Sequence, residues 1–175
     1  MPAEPTLSLV PFSAIDTIAV AALVNAAFRR YEILHADRTS PEGLADEAGD
    51  GAEWLLAHRA GRLVGSAMIR PAAGVFDGHP NPAALGDVSA ALYFGLAAVD
   101  PLDMSSGVGR QLVAEAERIA AERGYRSVIL GTVREFGLVD YYARCGYVVV
   151  AVHDFEPGHW DIVAPHRLCE MVKAL

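Results

Sequence analysis

Short apolar runs closed by proline or glycine alternate along this chain with segments whose apolar positions recur every three or four residues. Residues 7–10 alternate and stop at Pro11, which predicts a first strand. Ser13, with Asp16 three residues on, predicts the start of a helix whose stripe is Ile15, Ile18, Ala22 and Leu23, with Arg29 and Arg30 in its last turn. Ser40-Pro41-Glu42 reads as N-cap, first helical residue and first-turn acid, so a short second helix is expected to about Ala48, before Gly49-Asp50-Gly51. Residues 53–60 and 62–70 are two strands joined at Ala60-Gly61, the kind of link that makes an antiparallel hairpin. Residues 71–87 form a long loop rich in Gly, Pro, Asp and Asn. A central strand is expected over 88–99, a helix over 108–123 stopped by Gly124, and a fully apolar strand over 127–133. A shorter helix over 136–144 ends at Gly146, and strands over 147–153 and 168–173 close the chain. The order β α α β β β α β α β β is that of a mixed α/β sheet.

At 175 residues, 53% of them hydrophobic, the chain suits one domain spanning 1–175 with a substantial core. A net charge of −8 argues against sequence-independent nucleic-acid binding and makes a cationic small partner the easier one. The apolar stretch over 14–28 is broken by Asp16 and Asn25, so neither a signal peptide nor a membrane span is expected. Cys145 and Cys169 form no CxxC or Cys/His spacing. They read as free thiols in a reducing cytoplasm, and no metal site is expected. His79, His153, His159 and His166 likewise show no metal-ligand spacing, and each reads as a surface or satisfied histidine.

The most informative stretch is AAVDPLDMSSGVGRQLV, from Ala97 to Val113. It places a strand end, a proline and a glycine-spaced turn ahead of an amphipathic helix with the stripe Val108, Leu112, Ala116, Ile119 and Ala120. A helix start leaves N–H groups without partners and carries the positive end of the dipole, so Gly107 and Gly109 would let phosphate oxygens approach closely. A nucleotide fold using the same turn is the weaker reading, because the P-loop lysine and the third Rossmann glycine with its ribose-binding acid are both missing.

Two segments at the right separation resemble the signatures of the GNAT superfamily of N-acetyltransferases. The first is Val99-Asp100-Pro101 with the turn Met104-Ser105-Ser106-Gly107-Val108-Gly109, where Met104 stands at a position usually held by Arg or Gln. The second is LVDYYARCGY over 138–147, similar to the family's Tyr-x-x-x-Gly-[Phe/Tyr]. The resemblance covers residues 7–173. It implies a mostly antiparallel sheet flanked by helices, with a splayed parallel strand pair. It implies acetyl-CoA as co-substrate, held by Ala97, Ala98 and Val99 on the strand and by Met104, Ser105, Ser106, Gly107, Val108, Gly109 and Arg110 at the turn. It implies Tyr142 as the acid that protonates the departing thiolate, by direct attack without a metal. Tyr141, facing away on the same helix, is expected to be the core aromatic.

The general base is not named by the resemblance. Tyr93 stands where many members carry a glutamate, so a water relay or a histidine is expected to serve. Glu135 replaces a CoA-contacting asparagine, and Arg134 is a weak candidate for the acceptor pocket or a sheet-edge ion pair. Asp37, Glu42, Asp46, Glu47, Asp50 and Glu53, opposed by Arg38 alone, are expected to focus a negative potential on a cationic amine, small-molecule or peptide. The exposed final strands and the long loop make a homodimer reasonable. The competing function, motivated by Met104 and Tyr93, is a CoA-binding sensor or interaction module without turnover.

Overall fold

The computed structural model describes residues 4–34, 37–159 and 162–175. Its strands are β1 (Thr6–Pro11), β2 (Glu53–Arg59), β3 (Arg62–Pro71), β4 (Ala91–Val99), β5 (Ser127–Val133), β6 (Val148–Phe155) and β7 (His166–Ala174). Its helices are α1 (Thr17–Phe28), α2 (Gly43–Ala48), α3 (Val108–Glu122) and α4 (Val139–Arg144). The strands form one 7-stranded sheet in the order β1-β2-β3-β4-β5-β7-β6. Every neighbouring pair is antiparallel except β4 with β5. This is the mixed, mostly antiparallel architecture that the sequence predicts, with its elements in the predicted order. No helix among the described residues is long and apolar enough to cross a membrane.

Local chemistry accounts for most boundaries. Ala60 (φ 49°) and Gly61 (φ 78°) make the two-residue turn of the β2–β3 hairpin, and Arg59 pairs with Arg62 across it. Gly124 (φ 80°) ends α3, where its N–H donates to Ala121 O and the N–H of Tyr125 to Ala120 O, closing the orphan carbonyls. Ser40 Oγ accepts from the N–H of Gly43 at 2.9 Å, but α2 starts at Gly43 with Glu42 at its N-cap, so Ser40 holds the turn before the helix rather than capping it as expected.

Alternate residues of the central strands face opposite layers. Leu55, Ile69, Phe94 and Leu130 lie under α3 and α4, while Trp54, Leu56, Met68 and Ala98 lie under α1 and α2. Asn25, read from sequence only as a break in an apolar run, is buried. Its amide donates to Thr39 O and accepts from Thr39 N–H, tying the segment before α2 to α1.

Several expectations need correction. The N-cap of α1 is Asp16, which accepts from the N–H of Ala19 at 3.0 Å, and Phe12–Ala14 is a separate 3-10 turn. The buried face of α1 is then Val20, Ala21, Leu23, Val24 and Ala27, with Ile18 71% exposed and Ala22 also outside. A helix that is apolar nearly all round has no stripe to read, so its cap decides which face turns inward. Val88–Ala90 is a 3-10 turn rather than strand, held by Asp87, which accepts from the N–H of Ser89. The helix expected over 136–144 begins only at Val139, because Gly137 in the left-handed region (φ 73°) closes the 3-10 turn Arg134–Phe136. The loop over 71–87 is packed down, with Ala72 and Leu85 buried against Ala91 and Ile129.

The feature that positions the site is a fault in β4. It pairs with β5 only from Ala91 opposite Ser127 to Phe94 opposite Leu130. On its other side the β3 register shifts between Ser66 and Met68, where Leu96 adopts φ 49°. Such a bulge turns the strand locally, and beyond Gly95 β4 leaves β5. Glycine is required at that corner, since a Cβ on Gly95 would sit 2.6 Å from the Tyr93 ring.

Helix α3 is seated over β3 at Gly65, where a Cβ would lie 2.5 Å from Val108 Cγ1 and 3.2 Å from Leu112 Cδ1. The Gly65→Ala variant is therefore expected to lose about 1–3 kcal/mol of stability through overpacking. Thermal denaturation measures the effect.

Candidate active site

Two cavities meet where β4 and β5 part. The larger, about 850 Å³, runs from the strand gap to the start of α3. It is lined by Ala97, Ala98, Val99, Met104, Ser105, Gly107, Val108, Gly109 and Arg110, so the strand and turn residues singled out in the sequence face one space. Ser106 does not join them. Its N–H and hydroxyl both donate to Asp103 O, at 3.2 and 2.5 Å, so the hydroxyl expected for a ligand is turned into the protein.

The turn is anchored from behind. Asp103, 5% exposed, is held between the guanidinium groups of Arg59 and Arg62, and Arg62 also reaches Asp100 at 2.5 Å. A buried carboxylate is tolerable because both of its oxygens are paired. These ion pairs tie the strand-to-helix turn to the β2–β3 hairpin. Gly107 takes the left-handed conformation (φ 86°), and the first helical bond is Gln111 N–H to Gly107 O. The N–H groups of Val108, Gly109 and Arg110 are therefore the orphan donors of the helix start, aimed at the cavity.

Met104 removes the usual polar side chain at its position, and a cation arrives from elsewhere. Arg30, just past the end of α1, lines the cavity with its Nη1 2.9 Å from Met104 Sδ and its Nη2 2.8 Å from Tyr31 Oη. Arg110 and Arg144 line the same cavity. Sequence reasoning missed Arg30 and Arg144. The Arg29-Arg30 pair reads from sequence only as a complement to the helix dipole, and nothing along the chain signals its approach to residue 104.

Tyr142 is buried and borders both cavities, together with Phe28, Phe94, Ala97 and Leu138. Tyr141 does not face away from it as expected. The two rings meet edge to face at 5.1 Å, and both line the larger cavity. Tyr141 Oη lies 3.2 Å from where a Gly109 Cβ would stand, so the phenol fills the room that glycine leaves. Burial pushes the Tyr141 phenol up to about 12. It pushes Tyr142 further, with the neighbouring Tyr141 adding to the shift.

The smaller cavity, about 420 Å³, opens on the other side of the gap, between Gly95-Leu96-Ala97 of β4 and Leu130–Val133 of β5. Phe28, Phe76, Tyr93, Phe136, Ile162 and Leu168 give it apolar walls. The six acidic residues expected to form its wall do not line it. Asp37 pairs with Arg29, Glu47 with Arg38, and Glu53 with Arg123, so half of that negative potential is neutralised locally. The carboxylates that line the cavity are Asp77 and Glu170. Glu135 accepts from the N–H and Nε of Arg167, an anchor for β7 rather than a ligand contact, and exposed Arg134 lines neither cavity. Burial raises the pKa of Tyr93, which keeps it a neutral phenol and unfit as a base.

Two of the histidines read as surface or satisfied are satisfied, and they converge on Glu170. His79 Nε2 lies 2.6 Å from Glu170 Oε2, His153 Nε2 lies 3.0 Å from the same oxygen, and the two nitrogens are 3.2 Å apart. The spacing of the three along the chain, with 74 and 17 residues between them, carries no signal of this contact.

A sheet split at one parallel pair, with a glycine-rich helix start at the split, is the GNAT acetyltransferase fold. A family model described as the acetyltransferase (GNAT) family matches residues 19–147, and the chain belongs to that family. No curated protein matches the sequence. Among solved structures it is similar to the ribosomal-protein-alanine N-acetyltransferase from Brucella melitensis, at 20% identity and a TM-score of 0.70, covering 97% of this chain and 99% of that one. It is similar also to the ribosomal-protein-S18-alanine N-acetyltransferase from Escherichia coli, at 16% identity and a TM-score of 0.69, covering 97% and 93%. A Bacillus subtilis acetyltransferase solved in complex with CoA has 17% identity and a TM-score of 0.64, covering 98% and 99%.

The tyrosine shifts have a direct consequence. Burial disfavours the phenolate, so the protonated form of Tyr142 persists above the pH near 10 at which an ordinary tyrosine is half ionised. An ultraviolet titration is expected to show Tyr141 and Tyr142 still protonated at pH 10, so that the Tyr141→Phe and Tyr142→Phe variants have the same tyrosinate absorbance there as wild type.

Proposed function

We propose that the protein transfers the acetyl group of acetyl-CoA to a primary amine by direct attack. Family membership implies acyl transfer from acetyl-CoA. The observation that carries the finer reading is the meeting of two cavities at one buried phenol: the larger suits the cofactor and the smaller an acceptor. The pyrophosphate lies against the N–H groups of Val108, Gly109 and Arg110, with Arg30 supplying the charge that Met104 lacks. The pantetheine arm extends along Ala97 to Val99, where β4 has unpaired backbone groups to offer it.

In the reaction the amine nitrogen forms a bond to the thioester carbonyl carbon, giving a tetrahedral oxyanion that backbone donors of β4 face. Collapse breaks the C–S bond, and the departing sulfur takes a proton from the Tyr142 hydroxyl. Tyr142 recovers that proton from the nitrogen as the amide forms. Its raised pKa suits this role, because the phenol is fully protonated at the moment of need. A binding-only module is the competing reading, and it leaves the second cavity without a use.

Thiol release from acetyl-CoA, followed across a panel of aromatic and aliphatic amines and peptides, tests the proposal. Turnover dependent on an amine is expected, and calorimetric binding of acetyl-CoA with no thiol release would favour the module instead. The Tyr142→Phe variant should lower kcat about 100-fold while leaving KM for acetyl-CoA unchanged. Unchanged turnover would remove Tyr142 from the chemistry. The Arg30→Ala variant should weaken acetyl-CoA binding about tenfold, for the loss of one charge-assisted contact. The loss should shrink as salt is raised.

A further inference from the structure

The Glu170, His79 and His153 cluster has no part in the cofactor reading, yet it is one of the most buried polar groups in the molecule. The side chains of Glu170 and His79 are 5% and 6% exposed, and that of His153 is 21% exposed. The three residues come from β7, from the loop over 71–87 and from β6, so three separate segments must be folded to assemble it. Gly131 stands opposite Glu170 in the β5–β7 register, and with no side chain there the carboxylate is open to the smaller cavity.

Hydrogen bonding sets the proton positions. The N–H of Asn81 donates to His79 Nδ1 at 3.0 Å, so that nitrogen carries no proton. In the neutral ring the proton is then on Nε2, which donates to Glu170 Oε2. That tautomer stabilises the carboxylate, and it turns a proton rather than a lone pair toward the centre of the cluster. The three ligand-type atoms lie within 4.8 Å of one another, as a metal site would require, but a neutral His79 bound through Nε2 would need its proton on Nδ1. His153 Nε2 is left facing both Glu170 and the His79 proton, able to accept.

We propose that these residues form a proton relay for the acceptor, an inference that rests on the amine-transfer reading above. A primary amine arrives as the ammonium, which binds beside the Glu170 carboxylate with the aromatic walls around it. The ammonium gives one proton to Glu170 Oε2, which leaves the neutral amine to attack the thioester. Glu170 passes that proton to His153 Nε2, and His153, the most exposed member, releases it to water. The net reaction is ammonium plus acetyl-CoA to amide, CoA thiol and one proton in solution. The other titratable groups lining the cavity are Arg38, Asp77, Tyr93 and the buried Tyr142. Arg38 is paired to both oxygens of Glu47, Tyr93 is a neutral phenol, and exposed Asp77 adds a second anion.

The test compares phenylethylamine, an ammonium at pH 7, with phenylhydrazine, already neutral there, as acceptors for the full chain. Glu170→Gln is expected to lower kcat for phenylethylamine about 100-fold and to leave phenylhydrazine within about threefold of wild type, as loss of a general base requires. His153→Gln should slow phenylethylamine turnover and be rescued by added imidazole. KM for acetyl-CoA should not move in either variant. Equal losses for both acceptors, or no rescue, would overturn the relay. Nitrogen-15 NMR of the histidine rings decides the geometry separately. His79 as the Nε2–H tautomer in wild type supports the relay, and His79 protonated on Nδ1, with or without added zinc, overturns it. If no amine of the panel is acetylated by wild type, the amine-transfer reading fails while the NMR result still decides the proton positions.

Discussion

Beyond Phe94, β4 runs on without its parallel neighbour, and both cavities exist because of that parting. An intact β4–β5 ladder would satisfy every backbone group in the strand and close the gap between the layers. The bulge at Leu96 prevents this by turning the strand, at the cost of one non-glycine residue in the left-handed region. What would otherwise be a defect becomes a row of free backbone donors and acceptors set into a rigid sheet. The glycine turn of α3 follows at the end of the same strand, so one irregularity orients both ends of the larger cavity.

The charges are arranged to the same end. The protein is strongly anionic, but Arg30, Arg110 and Arg144 converge on the larger cavity, while Asp103 behind it is matched by Arg59 and Arg62. Half of the acidic residues around α2 are held in local ion pairs, and the buried carboxylate of Glu170 lines the smaller cavity. The two cavities thus differ in the side chains that charge them, arginines in the larger and the carboxylates of Asp77 and Glu170 in the smaller. Between them stands an apolar junction of Phe28, Phe94, Leu138 and the buried phenol of Tyr142. A low-dielectric junction keeps that phenol protonated, and the carboxylate on the other side lies within hydrogen-bond distance of His79 Nε2.

Much of the fold is legible along the chain. Turn chemistry at Ala60-Gly61, the helix stop at Gly124 and the fully apolar run of β5 each depend on residues within a few positions of one another, and each is found as read. The errors fall where several local readings compete. Ser13 and Asp16 are both plausible caps for α1, and because that helix is apolar nearly all round, only packing on β3 and β4 settles which face is buried. Tyr141 was misplaced for a related reason: a six-residue helix beside a glycine leaves room for two adjacent rings to reach one cavity.

The sequence by itself determined the order of elements, the glycine turn with its orphan donors and the tyrosine placed four residues before Gly146, because these are features of local spacing and backbone preference. Tertiary structure alone decided that Arg30 meets Met104 and that His79 and His153 close on Glu170. Those contacts join segments 74, 74 and 17 residues apart in the case of the Arg30–Met104, His79–His153 and His153–Glu170 pairs. Side chains so distant along the chain have no shared periodicity to read, and they meet only because the parted strands and the packed loop hold their backbones in register.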